Sequence, residues 1–192
     1  MEEFVFGYAS LSALLAAPPT RAPSRHGYVT DLRGARRGWG VAADNALALP
    51  GYKRYRAADG SYPPVRVAFL DLFEGDGTVN GVCVPADAAT LAALDRRERN
   101  YVRVEVTERI AAPLGRTWAY AGSPEGRARL AAGREAGTAV VTREYLELVV
   151  AGFAALGAEE LARFHASTEL DGLPVRELER VDLGGRPAPR AG

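Results

Sequence analysis

The sequence contains almost no cysteine, histidine or lysine, and it has no excess charge of either sign. One cysteine, Cys83, and two histidines among 192 residues exclude an internal disulfide framework and a cysteine-rich metal site. Its 24 basic residues are balanced by 24 acidic ones, whereas nucleic-acid binders use a one-sided positive field to neutralise phosphates. A small or neutral partner is therefore favoured. Lys53 is the only lysine, and we interpret this use of arginine as base-composition bias rather than chemistry.

A basic leader and long apolar runs are also missing. The first residues are acidic, with Glu2 and Glu3, and no apolar run reaches the length that spans a bilayer. We therefore expect a cytoplasmic protein that binds no membrane. A chain of 192 residues is long enough to bury a core and to hold a pocket within it. We predict a single domain over residues 1–183, followed by a disordered tail over 184–192.

Strands are predicted mainly in the first two thirds of the chain. Six runs are rich in Val, Phe and Tyr and partly alternate, at residues 3–8, 26–32, 65–73, 78–84, 101–110 and 116–122. The third and fourth runs are separated by "EGDG", which predicts a hairpin. Residues 50–64 have no period and contain three tyrosines, so we predict a mobile flap over a cavity mouth.

Helices are predicted mainly later in the chain. Asp87 can cap a helix over residues 88–98, and Ser123 followed by Pro124 can begin another over 123–135. Residues 143–157 and 158–167 have helical patterns, so the C-terminal third is expected to be helical. The order of elements indicates an α+β fold.

The helix after Asp87 places one carboxylate on its apolar face. Leu91, Leu94, Glu98 and Tyr101 follow a spacing that keeps side chains on one side of a helix, whereas the flanking arginines are expected to point to solvent. An inward carboxylate is a candidate acid/base. The structural alternative is a solvated Glu98 that pairs with a neighbouring arginine.

The segment "FGYASL" at residues 6–11 breaks an apolar run with small residues. In the structural interpretation, a strand ends in a tight turn and Tyr8 fills the core. In the functional interpretation, backbone N–H groups of the turn bind a ligand carboxylate or an oxyanion. The motif alone is short and does not decide between these interpretations.

Together the two segments resemble the γ-glutamylcyclotransferase family, whose signature is a Tyr-Gly-Ser-Leu loop followed by a Leu-Asp-x-x-Glu segment. Here the loop is Tyr-Ala-Ser-Leu, beginning at Tyr8, and the second segment runs from Leu94 to Glu98. The resemblance implies an α+β fold around a small, mixed, partly open β-barrel with flanking helices. Ala9 replaces the family's glycine, so we expect a negative φ at that position.

The resemblance also implies the reaction and its residues. The α-amine of a γ-glutamyl amide attacks its own γ-carbonyl, which closes 5-oxoproline and releases the amine. No metal or cofactor is needed for these steps. Glu98 is implied as the general acid/base. The γ-glutamyl group is implied to bind the backbone of the loop, formed by Tyr8, Ala9, Ser10 and Leu11.

Other roles stay open at the sequence level. Tyr101 and Tyr120 lie on neighbouring strand-like runs and could donate hydrogen bonds to substrate, or could be structural. The leaving amine lies outside both motifs, so an amino acid, glutathione and a specialised amine remain alternatives. A second class of function is a non-catalytic small-molecule binding or interaction domain on the same fold. The presence of Glu98 argues against that alternative.

Overall fold

The computed structural model describes residues 2–10, 26–168 and 170–184. It contains a seven-stranded mixed sheet, a separate two-stranded sheet and four helices, which confirms the expected α+β class. The elements are β1 (Glu3–Gly7), β2 (Tyr28–Asp44), β3 (Lys53–Arg56), β4 (Arg66–Pro85), α1 (Ala88–Arg97), β5 (Tyr101–Glu105), β6 (Arg116–Gly122), α2 (Pro124–Glu135), β7 (Ala139–Thr142), α3 (Arg143–Leu156), α4 (Ala158–Ser167), β8 (Val175–Arg176) and β9 (Glu179–Asp182).

The large sheet is organised around the long strand β4. Along one edge, β4 pairs with β1 and β7, and along the other edge it pairs with β2 over nearly its whole length. The order along the sheet is β5-β6-β1-β4-β7-β8, with β2 joined to β4. In the described part of the chain this sheet stays open and does not close into a barrel.

The predicted hairpin between residues 65–73 and 78–84 is wrong, because both runs belong to β4. Ala35 of β2 lies opposite Glu74, and Arg33 lies opposite Thr78. The "EGDG" segment is thus absorbed as a bulge facing Gly34, which has a positive φ of 67°. At Gly77 an added Cβ would lie 2.7 Å from the Ala35 carbonyl oxygen. Glycines that predicted a turn therefore permit a bulge inside a continuous strand.

The helices begin where the sequence predicts them. The side chain of Asp87 accepts a hydrogen bond from Thr90 N, and that of Ser123 accepts one from Gly126 N. Thr142 caps α3 in the same way. The short strands β8 and β9, however, follow the last helix, so the expectation of a helical C-terminal third is only partly correct. These strands are two and four residues long and mostly polar, and their pairing with β7 and β3 comes from distant chain segments.

Residues 50–64 contain a strand where the sequence predicts an irregular flap. Strand β3 pairs antiparallel with β9, and Tyr55 within it is buried. Backbone hydrogen bonds extend this pairing, since Gly51 N donates to Leu183 O and Leu183 N donates to Tyr52 O. The segment is therefore attached to the C-terminal part of the described chain.

Helices cover both faces of the sheet beside β1. Phe4 and Phe6 pack into the main core, which also contains Phe153 of α3 and Phe164 of α4. Val5 points to the opposite face, where it packs in a cluster with residues of α1 and β6. Since β1 and β6 are parallel and β5 runs antiparallel to β6, the loop after β1 and the start of β5 lie at the same end of the sheet.

Candidate active site

A cavity of about 490 Å³ lies at that end of the sheet. Its volume is within the range of small-molecule sites, roughly 300–1,000 Å³. Its walls come from the loop after β1, from β3, from the junction of α1 and β5, from the start of α3, and from β9. The lining side chains include Ser10, Tyr52, Lys53, Phe69, Arg97, Glu98, Tyr101, Glu144, Tyr145, Arg180 and Asp182.

Glu98 caps the C-terminal end of α1 and lines the cavity. Helix α1 ends at Arg97, and the Glu98 backbone N–H donates to Leu94 O at 2.8 Å. The carboxylate accepts a hydrogen bond from Arg97 Nε at 2.9 Å, and its side chain is 19% exposed. Arg97 is exposed as expected, with 47% of its side chain accessible, and because the helix ends before Glu98 its guanidinium also pairs with the Glu98 carboxylate, as in the structural alternative. A partly buried, oriented carboxylate faces the cavity.

The loop after β1 approaches the cavity through Ser10, whose side chain forms a hydrogen bond with the Tyr145 hydroxyl. Tyr8 is buried, and its phenol donates to Tyr120 O at 2.7 Å. Burial raises the pKa of Tyr8 well above its ordinary value, so this phenol stays a donor. Among the described residues, Asp171 is the single non-glycine residue with a positive φ; the negative φ expected at Ala9 is therefore present. Leu11 lies outside the described residues.

Two tyrosines predicted to contact substrate have different positions. Tyr101 lines the cavity, and its hydroxyl donates to Leu70 O at 2.7 Å. Tyr120 lies on the face of β6 that packs against α1, where its hydroxyl donates to Asp95 Oδ1 at 2.7 Å. Its side chain is not part of the cavity wall among the described residues. The strand register pairs Tyr101 with Gly122 and Arg103 with Tyr120, so both tyrosines lie on the same face of the sheet, but Tyr120 lies two residues further from the strand ends that border the cavity.

Lys53 is a cavity residue that sequence reasoning missed. Its ammonium lies 4.1 Å from the centre of the Phe69 ring and 5.9 Å from that of Tyr52. Burial lowers the pKa of this ammonium to about 8. The sequence did carry one signal for this residue: Lys53 is the only lysine in a chain that otherwise uses arginine.

Arg37 of β2, which sequence reasoning also missed, binds the loop after β1 from the side of the core. Its guanidinium is 5% exposed and lies between the rings of Phe153 and Phe164, at 4.8 and 4.7 Å. It donates to Tyr8 O at 2.9 Å and to the side chain of Asn80 at 2.7 Å. Burial lowers its pKa to about 9, so the guanidinium stays charged at neutral pH. A buried cation thus fixes the carbonyl of the loop's first residue.

The described residues contain no group of three or more His, Cys, Asp or Glu side chains arranged to hold a metal ion. No helix in the described ranges is long and apolar enough to cross a membrane.

The sequence matches the model of a known family, "Gamma-glutamyl cyclotransferase, AIG2-like", over residues 23–137, which is more than half of the chain. The chain belongs to this gamma-glutamyl cyclotransferase, AIG2-like family. The match includes Glu98, Tyr101 and Lys53. The Tyr8 loop precedes the matched region, so its assignment depends on the motif and on its place beside the cavity.

Solved structures place the fold among similar proteins. YkqA from Bacillus subtilis is 13% identical, with a TM-score of 0.56 over 91% of this chain and 56% of YkqA. The chain thus spans little more than half the length of YkqA. A gamma-glutamyl cyclotransferase (16% identity, 89% of this chain and 90% of that one) and a yeast gamma-glutamyl cyclotransferase specific to glutathione (14%, 85% and 96%) have TM-scores of 0.49 and 0.39. No curated protein sequence matches significantly. At 13% identity, the likeness to YkqA shows a shared fold alone.

Proposed function

We propose that this member of the gamma-glutamyl cyclotransferase, AIG2-like family cyclises the γ-glutamyl group of a γ-glutamyl amide to 5-oxoproline and releases the amine. The observation that carries the proposal is the shared cavity of Glu98 and Ser10. It brings a proton-accepting carboxylate and the loop after β1 to one space of small-molecule size. These are the two parts that the reaction requires.

In the proposed mechanism the substrate supplies its own nucleophile. The α-amine attacks the γ-carbonyl carbon, a new C–N bond closes the five-membered ring, and the C–N bond to the leaving amine breaks. Glu98 relays two protons in turn from the attacking nitrogen to the departing one: the first frees the α-amine for attack, and the second is lost by the ring nitrogen as the C–N bond breaks, so the ring keeps one N–H and the leaving group departs as an ammonium. Arg97, bonded to the carboxylate at 2.8–2.9 Å, orients it.

The loop holds the glutamyl end in this proposal. Backbone groups of Tyr8, Ala9, Ser10 and Leu11 bind the α-amino-acid part, which folds the chain so that amine and carbonyl meet. Arg37 stabilises the loop by binding Tyr8 O. Tyr101 forms part of the wall, and Tyr120 supports the loop through its carbonyl, which accepts from the Tyr8 phenol.

The decisive variant is Glu98→Gln, which keeps the side chain's shape but cannot transfer protons. We expect kcat for 5-oxoproline release to fall by about 10²–10⁴ while the melting temperature stays close to that of the parent. Glu144→Gln is the matched control, because Glu144 lines the same cavity but accepts a hydrogen bond from Arg180 N at 2.9 Å. That control should keep a rate near that of the parent.

Three results would contradict the proposal. A Glu98→Gln protein that turns over at the parent rate would remove Glu98 from the mechanism. A variant that melts much earlier would make Glu98 a structural residue. A parent protein that binds γ-glutamyl compounds without releasing 5-oxoproline would be a non-catalytic binding domain.

A further inference from the structure

The cations of the cavity wall differ in whether an anion already accompanies them. Arg97 is bonded to Glu98, and Arg180 is bonded to Asp182 at 2.7 Å. Lys53 forms neither an ion pair nor a hydrogen bond with another described residue, and its ammonium lies against the rings of Phe69 and Tyr52. Within the described part of the chain, the cavity therefore contains an ammonium whose hydrogen-bond donors have no protein acceptor.

The surroundings of Lys53 make a bound anion favourable. An ammonium has three N–H donors, and the ring faces attract its charge but accept its hydrogen bonds poorly. The group is also partly buried, and burial lowers its pKa to about 8. A carboxylate entering the cavity would satisfy these donors through a charge-assisted hydrogen bond.

The position of Lys53 indicates which part of the substrate it meets. Ser10 and its partner Tyr145 mark the side of the loop that holds the glutamyl end. Glu98, Tyr145 and Lys53 all line the same cavity. If Glu98 serves both the α-amine and the leaving nitrogen, the scissile bond lies beside it. The leaving group then extends towards β3 and β9, where Lys53 is located.

We propose that Lys53 binds a carboxylate on the leaving amine, so that the preferred substrates are γ-glutamyl amino acids rather than γ-glutamyl derivatives of uncharged amines. This inference rests on the proposed function and adds its substrate class. Lys53 is a specificity-determining residue in this assignment and takes no part in proton transfer.

A matched pair of substrates isolates the carboxylate. γ-Glutamylalanine and γ-glutamylethylamine differ in the leaving group only by that carboxylate. A hydrogen bond between charged groups corresponds to roughly 10- to 100-fold in binding, so we expect the parent to prefer γ-glutamylalanine by about that factor in kcat/KM. Lys53→Met should remove the preference by raising KM for γ-glutamylalanine, with less than about a twofold change for γ-glutamylethylamine.

Two control variants make the result specific. Arg56→Met removes a cation from the same strand, but this cation is exposed and paired with Glu179, so both substrates should keep their parent values. Lys53→Arg retains the charge and should retain the preference for γ-glutamylalanine. This variant also tests the site if Lys53→Met does not fold.

The outcomes separate this inference from the proposed function. Equal losses for both substrates in Lys53→Met, or no loss for either, would overturn the role of Lys53 while cyclotransferase activity stands. If the parent releases no 5-oxoproline from either compound, the proposed function fails. Titration calorimetry with the same pair then decides the binding role: selective loss of γ-glutamylalanine binding in Lys53→Met supports it, and equal binding contradicts it.

Discussion

At the scale of single residues, Lys53 is the cavity cation whose charge changes nearest to neutral pH. Burial lowers its pKa from 10.5 to about 8. The charged groups that face it come from the end of α1 and from β9: Arg97 and Arg180 lower the pKa further, whereas Glu98 and Asp182 raise it. Lys53 is therefore a cation below about pH 8 and is largely neutral one unit above that value.

This titration predicts a selective pH effect on substrate binding. Raising the pH from about 7 to about 9 should raise KM for γ-glutamylalanine roughly tenfold, because about one lysine in eleven remains protonated at the higher pH. γ-Glutamylethylamine has the same α-amine, whose protonation changes with pH equally in both substrates, so it serves as the reference. A KM ratio between the two substrates that is independent of pH in this range would contradict the prediction.

Local sequence patterns could predict some residues of the site but not others. Glu98 was found because a motif of five residues and a helix cap lie close together in the chain. Arg37 could not be found in this way, since its partners Tyr8 and Asn80 are brought to it by β1 and β4. Lys53 lies in a segment without a period, and its role depends on Phe69 and on the pairing of β3 with β9.

At the scale of elements, the pairing of β3 with β9 holds one wall of the cavity in place. Leu183 N donates to Tyr52 O, and the alternation of N–H groups along a strand directs the Val181 N–H to the same edge. Val181→Pro removes that donor, and Val181→Ala keeps it. Comparing these two variants therefore separates the effect of losing the backbone hydrogen bond from the effect of changing the side chain.

We expect Val181→Pro to loosen β3 and to raise KM for γ-glutamyl substrates, whereas Val181→Ala should have a smaller effect. Amide hydrogen exchange over Lys53–Arg56 should accelerate in the proline variant, with little change in the strands of the large sheet. Unchanged exchange at β3 would show that β9 does not hold this wall.

Elements were predicted best where their signal is local. The caps Asp87 and Ser123 could be predicted because each capping side chain and the backbone N–H that it binds are only three residues apart in the chain. The glycines between Glu74 and Thr78 were interpreted wrongly, since a turn and a bulge require the same backbone freedom and the choice depends on the facing strand β2. Strand β9 carries too few apolar residues to reveal a strand without its partner.

At the scale of the whole molecule, the balance of charges limits long-range attraction of the substrate. The formal net charge is zero at pH 7, and the cation proposed to select the substrate is partly buried, where salt screens weakly. We therefore expect kcat/KM for γ-glutamylalanine to change less than about threefold between roughly 0.02 and 0.2 M sodium chloride. A steep decrease would indicate that surface charges steer the substrate.

The pairing of β3 with β9 also has a consequence for the order in which the protein is synthesised. Arg56 and Glu179 are 123 residues apart in sequence, yet they face each other across this two-stranded sheet. While the ribosome is still extending the chain through the helices, β9 has not yet been synthesised. Strand β3, which carries Lys53, therefore has no strand to pair with. Closing so long a loop is slow relative to local helix formation. The pocket is thus completed after the large sheet, and a nascent chain gains the proposed substrate selectivity only after Asp182 has left the exit tunnel.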